Sequence, residues 1–135
     1  MTEKEIKSLE KAKNICSIVD DKKASAMKLL YVRHQTVIAD YFVLANGTST
    51  TQVNSLADEI EFQMKDKYSV DVTSKQGHGG GQWVVLDYDD VIVHVFHPES
   101  RDYYNLDKLW ADATEIDFTE ADAAYIESLS SKEEN

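Results

Sequence analysis

The residues most able to do chemistry lie between Gln82 and Glu99, in the stretch QWVVLDYDDVIVHVFHPE. Three aspartates, Asp87, Asp89 and Asp90, stand within four positions of one another. A pair of carboxylates can hold Mg²⁺ against a triphosphate, as in nucleotidyl transferases. Runs of β-branched and aromatic residues flank these acids, which is also typical of a hairpin whose turn is acidic. The sequence offers no cluster of Lys and Arg to hold a triphosphate, so it favours the hairpin over a Mg-dependent nucleotide-binding enzyme.

Histidine and glycine residues near this stretch offer weaker candidates. His94 and His97 are three positions apart, and on a strand this spacing directs the two rings to opposite faces, where they cannot share a metal ion. His94 shares its strand face with apolar neighbours, which favours a hydrogen-bonded core histidine. The segment GHGGG, residues 77–81, lacks the Lys-Ser/Thr ending of a phosphate-binding loop and predicts a mobile connection. We therefore predict no catalytic residue, no metal site and no cofactor.

Aromatic residues form the more suggestive group. They have two interpretations, because they either cap the core or build a binding patch of the kind that Trp and Tyr supply at interface hot spots. Arg101 lies beside several acids and is interpreted as an ion-pair partner or as an interface residue. The aromatic residues concerned are Trp83, Tyr88, Tyr103, Tyr104 and Trp110.

Capping signals and apolar periodicity predict the elements that position these side chains. Thr2 with Glu5, and Ser49 with Gln52, are capping boxes that begin two amphipathic helices. Alternating β-branched runs predict the strands, and Pro98 ends the last of them because proline cannot donate to a ladder. The predicted elements are a helix to about Asp20, strands at 26–32 and 39–47, a helix to about Lys67, a strand at 69–73, a loop at 74–82, the hairpin, a partly helical segment at 99–113 and a helix at 118–129 capped by Thr119.

Helices and strands mixed in this order predict an α/β or α+β fold with a mixed sheet of about five strands flanked by helices. With 135 residues the chain fits one domain with a sizeable core. We assign residues 1–114 to that domain and residues 115–135 to an acidic C-terminal extension that is partly helical and then frays.

The charge and composition of the chain limit the kinds of partner and the location that we expect. The formal net charge is -11, and more than half of it lies in residues 115–135. Such acidity argues against autonomous nucleic-acid binding and favours a basic protein partner. The absence of a long apolar run argues against a membrane span, and the acidic N-terminal stretch without an apolar core predicts a cytoplasmic protein. The single cysteine, Cys16, cannot form an internal disulfide and lies in the apolar stripe of the first helix, which predicts packing.

Three blocks of the sequence together resemble the ribosomal silencing factor family, also called RsfS or Iojap-like. They are ADYFVLANGTSTTQVNSLADEI, GQWVVLDYDDVIVHVF and SRDYYNLDKLWADA, and they stand in the family's order and spacing. The resemblance spans about residues 4–113. The block W-x-x-x-D-x-x-D-V-I-V-H is especially distinctive, and so is the block that begins at Arg101 and ends at Trp110.

This resemblance implies a translation repressor that is not an enzyme. It implies binding to the large ribosomal subunit through ribosomal protein uL14, steric blocking of small-subunit joining under nutrient limitation, and a homodimer. The implied fold is distantly similar to nucleotidyl transferases without their active site. The partner-binding residues that it implies are Trp83, Asp87, Tyr88, Asp90, Arg101 and Tyr104. We expect Trp83, Tyr88 and Asp90 to face outward together.

The sequence departs from the family pattern at three positions. Asp89 replaces a usual glycine, Gln76 a usual glutamate, and Tyr31 a common aspartate. The first departure predicts a positive φ at Asp89, which costs about 1 kcal/mol relative to glycine. It also weakens the enzyme interpretation, since the D-x-D pattern exists only through Asp89.

Overall fold

The computed structural model describes residues 1–133, in which helices and strands fold around one mixed sheet. The segments expected to be helical or partly helical contain helices, and the sheet has six strands, one more than predicted. The elements are α1 Glu3–Asp21, β1 Ser25–Tyr31, β2 Tyr41–Asn46, α2 Thr50–Tyr68, β3 Ser74–Gln76, β4 Trp83–Asp87, β5 Val91–Phe96, α3 Pro98–Tyr104, α4 Leu106–Leu109, β6 Thr114–Ile116 and α5 Ala123–Glu133.

Local capping interactions set the beginnings of the two long helices, as the sequence predicts. The Thr2 side chain accepts a hydrogen bond from the Glu5 backbone N–H, and the Ser49 side chain accepts one from that of Gln52, both at 3.1 Å. These bonds satisfy N–H groups that the helix itself leaves without partners. At its other end α2 closes on Ser69, which adopts the left-handed conformation with φ 56°.

The sheet has the strand order β3-β4-β5-β2-β1-β6. Strands β2 and β5 run parallel at its centre, and the other described neighbours pair antiparallel. The parallel pair requires a crossover, which α2 supplies together with β3 and β4. Every position of β5 is buried, which explains why all of its residues except His94 are apolar.

The two faces of the sheet are covered differently. On one, which we call the helix face, α1 and α2 bury Val43, Val93 and Leu86 in the main core. On the other, the open face, a smaller core contains Phe42, Ile92, Phe96 and Leu106, and the cover is the short helices α3 and α4. The two short helices together, residues 98–109, are called the arm below. Side chains near β4 consequently reach the surface on the open face.

The strand predicted at 69–73 is wrong, and the paired edge strand lies at Ser74–Gln76, within the predicted loop. The apolar residues that suggested a strand, Val70 and Val72, instead pack back against the main core after α2 ends. Pairing with β4 begins with the Thr73 N–H, which donates to the Asp87 carbonyl at 2.8 Å. Partial burial of Val70 and Val72 against the main core thus explains their alternating apolar pattern without strand pairing.

Part of the segment 115–135, assigned above to an acidic extension, contributes to the same sheet and core. Ile116 pairs with Leu29 of β1, and Ile126 and Leu129 of α5 are buried in the main core. Helix α5 begins later than predicted, and its cap is Asp122, whose carboxylate accepts from the Tyr125 N–H at 2.8 Å. Thr119 is therefore not the cap. We predict that the last residues fray. Helix α5 reaches Glu133, and residues 134–135 lie outside the described residues.

Candidate functional site

The acidic turn that first suggested a metal site connects two antiparallel strands. Asp87 of β4 pairs with Ile92 of β5, and the Tyr88 N–H donates to the Val91 carbonyl at 2.9 Å. Two residues, Asp89 and Asp90, form the tip. Asp89 has φ 72°, as predicted from its replacement of a usual glycine, and two-residue hairpins favour this conformation. The hairpin interpretation is confirmed.

The carboxylates of this turn are occupied by structural contacts. Asp87 accepts from the backbone N–H of Asp89 at 2.8 Å, which closes the turn. Asp90 accepts from the hydroxyl of Ser8 and pairs with the Lys11 ammonium group at 2.7 Å. Two acids of the D-x-D-D pattern therefore brace the hairpin and fix its tip to α1. No group of three or more His, Cys, Asp or Glu residues within the described part of the chain could hold a metal ion.

The structure does not bring Trp83, Tyr88 and Asp90 outward together, so that expectation is wrong. Tyr88 is 1% exposed and belongs to the main core on the helix face, where burial raises the pKa of its phenol. Trp83 packs against the smaller core on the open face. Asp90 turns toward α1. Strand alternation already places residues five positions apart on opposite faces, and it is the sequence signal that the expectation overlooked.

A connected aromatic cluster lies on the open face around Trp83. The Trp83 ring stacks on Phe96 with 5.0 Å between centroids and contacts Tyr104 of the arm at 4.9 Å. Farther along, Phe42 meets Trp110 edge to face at 4.8 Å. Such offset and edge-to-face contacts are the arrangements that aromatic rings prefer. Sequence reasoning identified Trp83, Tyr104 and Trp110 but missed Phe42, although strand periodicity directs Phe42 to this face.

His94 lies at the centre of this cluster, and its prediction as a hydrogen-bonded core histidine is confirmed. Only 8% of the residue is exposed, and its Nδ1 accepts from the indole N–H of Trp83 at 3.2 Å. Because Nδ1 is the acceptor, the neutral ring carries its proton on Nε2, which has no hydrogen-bond partner among the described residues. Burial lowers the pKa of His94 to about 4, so the ring is neutral at pH 7.

Arg101 does not lie at the surface. It is 6% exposed, and its guanidinium pairs bidentately with the carboxylate of Asp107 in α4. Of its two predicted roles, the ion pair is the one that the structure shows. Lys28 also pairs with Asp107 at 3.0 Å, and together the two cations hold the pKa of that carboxyl far below its usual range.

The exposed part of the open face is aromatic and apolar with an acidic border. Tyr104 is 53% exposed and Leu109 74%, whereas Trp83, Val85 and Trp110 are partly buried beside them. Beyond the paired Arg101 and Asp107, the exposed charges of residues 98–112 are three acids and one base, namely Glu99, Asp102, Asp112 and Lys108. A surface with this composition fits a partner that presents an apolar contact with a basic border.

The glycine segment before Trp83 is held against α2. The Gly79 N–H donates to Asn54 at 3.1 Å, and the His78 ring contacts the carboxylate of Asp58 at 2.8 Å. A Cβ on Gly81 would lie 2.6 Å from Thr50, and one on Gly77 would lie 2.0 Å from the Trp83 carbonyl oxygen. These glycines permit close packing of the segment beside β4, which explains them without a phosphate ligand.

Fold and surface together define a class of protein, an α+β module with a partly exposed aromatic face on one side of its sheet. Comparison with known proteins then shows the family. The profile of the family described as "Ribosomal silencing factor during starvation" matches residues 5–135. The chain therefore belongs to the ribosomal silencing factor family, whose members are regulators associated with ribosomes. The family resemblance inferred from the sequence is confirmed.

Individual relatives and solved structures agree with this assignment. A protein of Bacillus subtilis named "Ribosomal silencing factor RsfS" is 42% identical over 101 residues, which cover 73% of this chain and 85% of that protein. A chloroplast protein of Arabidopsis thaliana named "Protein Iojap" is 27% identical over 113 residues, 82% of this chain and 45% of that protein. A crystal structure of a Chromobacterium violaceum protein, 31% identical, has a TM-score of 0.70 and covers 91% of this chain and 97% of its own.

Proposed function

We propose that this protein represses translation in the cytoplasm by binding the large ribosomal subunit through ribosomal protein uL14. The bound protein occupies the surface where the small subunit docks and blocks joining by steric exclusion, under nutrient limitation. Membership of the ribosomal silencing factor family supports the ribosomal target. No helix in the described part of the chain is long and apolar enough to cross a membrane.

The observation that carries this proposal is the aromatic open face. Trp83 is half-buried, contacts exposed Tyr104 on one side and donates to His94 beneath. Aromatic side chains held in this way are the usual centre of a protein interface. The exposed acids of the arm lie beside them, and their charge suits a ribosomal protein, which is typically basic, while it opposes contact with rRNA.

The six residues implied by the family resemblance take different roles in this proposal. Trp83 and Tyr104 contact the partner directly, and Asp87 extends this surface from the other end of β4, where it is partly exposed. The other three act from within the protein, since Tyr88 and Arg101 are buried and Asp90 is paired with Lys11. The proposed interface therefore contains only three of the six residues that the family resemblance implies.

Replacing Trp83 tests the proposal most directly. In Trp83→Ala we expect large-subunit affinity to fall by about 2 kcal/mol or more, roughly thirtyfold, as for a hot-spot aromatic. Co-sedimentation with purified large subunits measures the affinity, and formation of complete ribosomes from both subunits measures the block. Phe62→Ala is the matched control, because Phe62 is an exposed aromatic on α2, on the other side of the sheet.

Two outcomes would contradict the proposal. One is a Trp83→Ala protein that keeps its cooperative unfolding and still binds large subunits as wild type does. The other is binding that is lost without any change in subunit joining, which would separate binding from repression. We also propose a homodimer, so the mass of each variant is measured by light scattering to distinguish loss of a dimer from loss of subunit binding.

A further inference from the structure

A partly buried ionic cluster attaches the arm to the sheet, and the proposed function does not yet say how it contributes to binding. At its centre is Arg101, whose Nε and Nη2 donate to the two carboxylate oxygens of Asp107 at 3.1 and 2.9 Å. The remaining terminal nitrogen, Nη1, donates to the Asn46 side-chain oxygen at 3.1 Å and to the backbone carbonyl of Ala26. One guanidinium therefore joins α3 to α4, to the end of β2 and to β1.

The contact with β1 falls at an irregular position. Ala26 has φ 51°, and the register of β1 against β2 shifts between Ser25 and Lys28. A non-glycine residue in this region is strained, and such conformations persist only where surrounding contacts impose them. The hydrogen bond from Arg101 is one such contact, and it directs the Ala26 carbonyl into the cluster.

The bidentate geometry selects arginine in particular. A planar guanidinium presents its donors in a rigid fork, whereas a lysine ammonium is a point charge on a flexible chain. A buried cation that loses its partners is strongly unfavourable, so this network fixes the position of α3 relative to the sheet. Lys28 supplies a second cation to Asp107 from β1, which reinforces the same attachment.

The arm requires such an anchor because its helices are short. Helix α3 has seven residues and α4 four, lengths at which a helix is not stable without tertiary contacts. The residues that α3 and α4 bury are Arg101 and Leu106. Tyr104, one turn beyond Arg101 in α3, is the residue that contacts Trp83.

We propose that Arg101 is a positioning residue that holds Tyr104 against Trp83 and so pre-forms the partner surface. This inference rests on the proposed function, because it assigns affinity for the large subunit to a side chain that never reaches the surface. A pre-formed surface binds more tightly since less conformational freedom is lost on association.

A double-mutant cycle on the full chain tests the proposal. We expect Arg101→Met to weaken large-subunit binding at least tenfold, and we expect little further loss when it is added to Tyr104→Ala, because Arg101 acts through Tyr104. Arg101→Lys should restore only part of the affinity. Lys65→Met is the matched control, since it removes a cation from an exposed pair with Asp71. Losses that simply add would overturn the proposal.

A second measurement on the free protein separates this inference from the proposed function. The chain has two tryptophans, Trp83 and Trp110, and both lie on the open face, so the tryptophan bands of the near-ultraviolet circular dichroism spectrum report on that face. We expect Arg101→Met, and the milder Asp107→Asn, to change this signal while far-ultraviolet dichroism and cooperative unfolding remain. Unchanged tryptophan bands would overturn the positioning role, whatever Trp83→Ala does to ribosome binding.

Discussion

One face of the sheet is covered by two helices of 19 residues each, and the other by helices of seven and four. On the helix face α1 and α2 bury a continuous apolar core. On the open face the short arm leaves Trp83, Val85 and Trp110 partly accessible. The difference separates two tasks, since apolar area buried on the helix face stabilises the fold, and the same kinds of side chain left uncovered remain available to a partner.

Polar side chains also have different roles on the two faces of the sheet. On the helix side, Lys11 and Ser8 of α1 meet Asp90, which fixes the hairpin tip to the main core. On the open face, His94 accepts a hydrogen bond from the half-buried Trp83 ring, and Arg101 attaches to the sheet the arm that carries exposed Tyr104. Buried polar groups thus support the fold on one side and the candidate interface on the other.

The largest loss of stability is expected when a substitution creates a cavity in the main core on the helix face. Ile60 of α2 is fully buried, so Ile60→Ala should lower the free energy of unfolding by about 2–5 kcal/mol. Leu109→Ala removes a side chain that is 74% exposed on the open face and should change unfolding by less than about 0.5 kcal/mol. Urea denaturation measures both, and equal losses would remove the distinction between the faces.

Low pH should reduce the stability of the folded protein through protonation of His94 on the open face. Its pKa of about 4 in the folded state lies below the ordinary value of 6.5, so the unfolded chain binds the extra proton first as pH falls. Stability is therefore full above pH 6.5 and decreases by roughly 3 kcal/mol as pH falls through 6.5 toward 4. Urea unfolding of wild type and His94→Gln at pH 7.5 and 4.5 measures this, and an identical pH dependence in both would assign the loss to other groups.

The smallest change in stability is expected at the hairpin tip, which connects β4 and β5 at the end of the sheet. Asp89 has φ 72°, so Asp89→Gly removes strain but also gives the unfolded chain more freedom, and we expect a net gain of roughly 0.5 kcal/mol. Asp89→Val should be destabilising, because β-branched residues disfavour positive φ. Thermal unfolding measures both changes. Unaltered binding to large subunits in Asp89→Gly would show that the tip acts in folding alone.

Much of the fold follows from patterns only a few residues long. The caps at Thr2 and Ser49, the hairpin around Asp89 and the two long helices are all specified by neighbours within about four positions. The family is likewise contained in short blocks, since distinctive residue types at fixed spacing suffice for that resemblance. These features can therefore be predicted from the sequence without knowledge of the tertiary structure.

Tertiary structure alone decided which of those residues reach the surface. Arg101 is buried because it meets Asn46 and Ala26, 55 and 75 positions away, and no local pattern encodes that contact. The edge strand lies at Ser74–Gln76 because these residues pair with β4, whereas Val70 and Val72 pack, partly buried, against the main core. Sequence specifies what lies within one turn or one hairpin, and burial between distant elements decides which side chains remain free to bind.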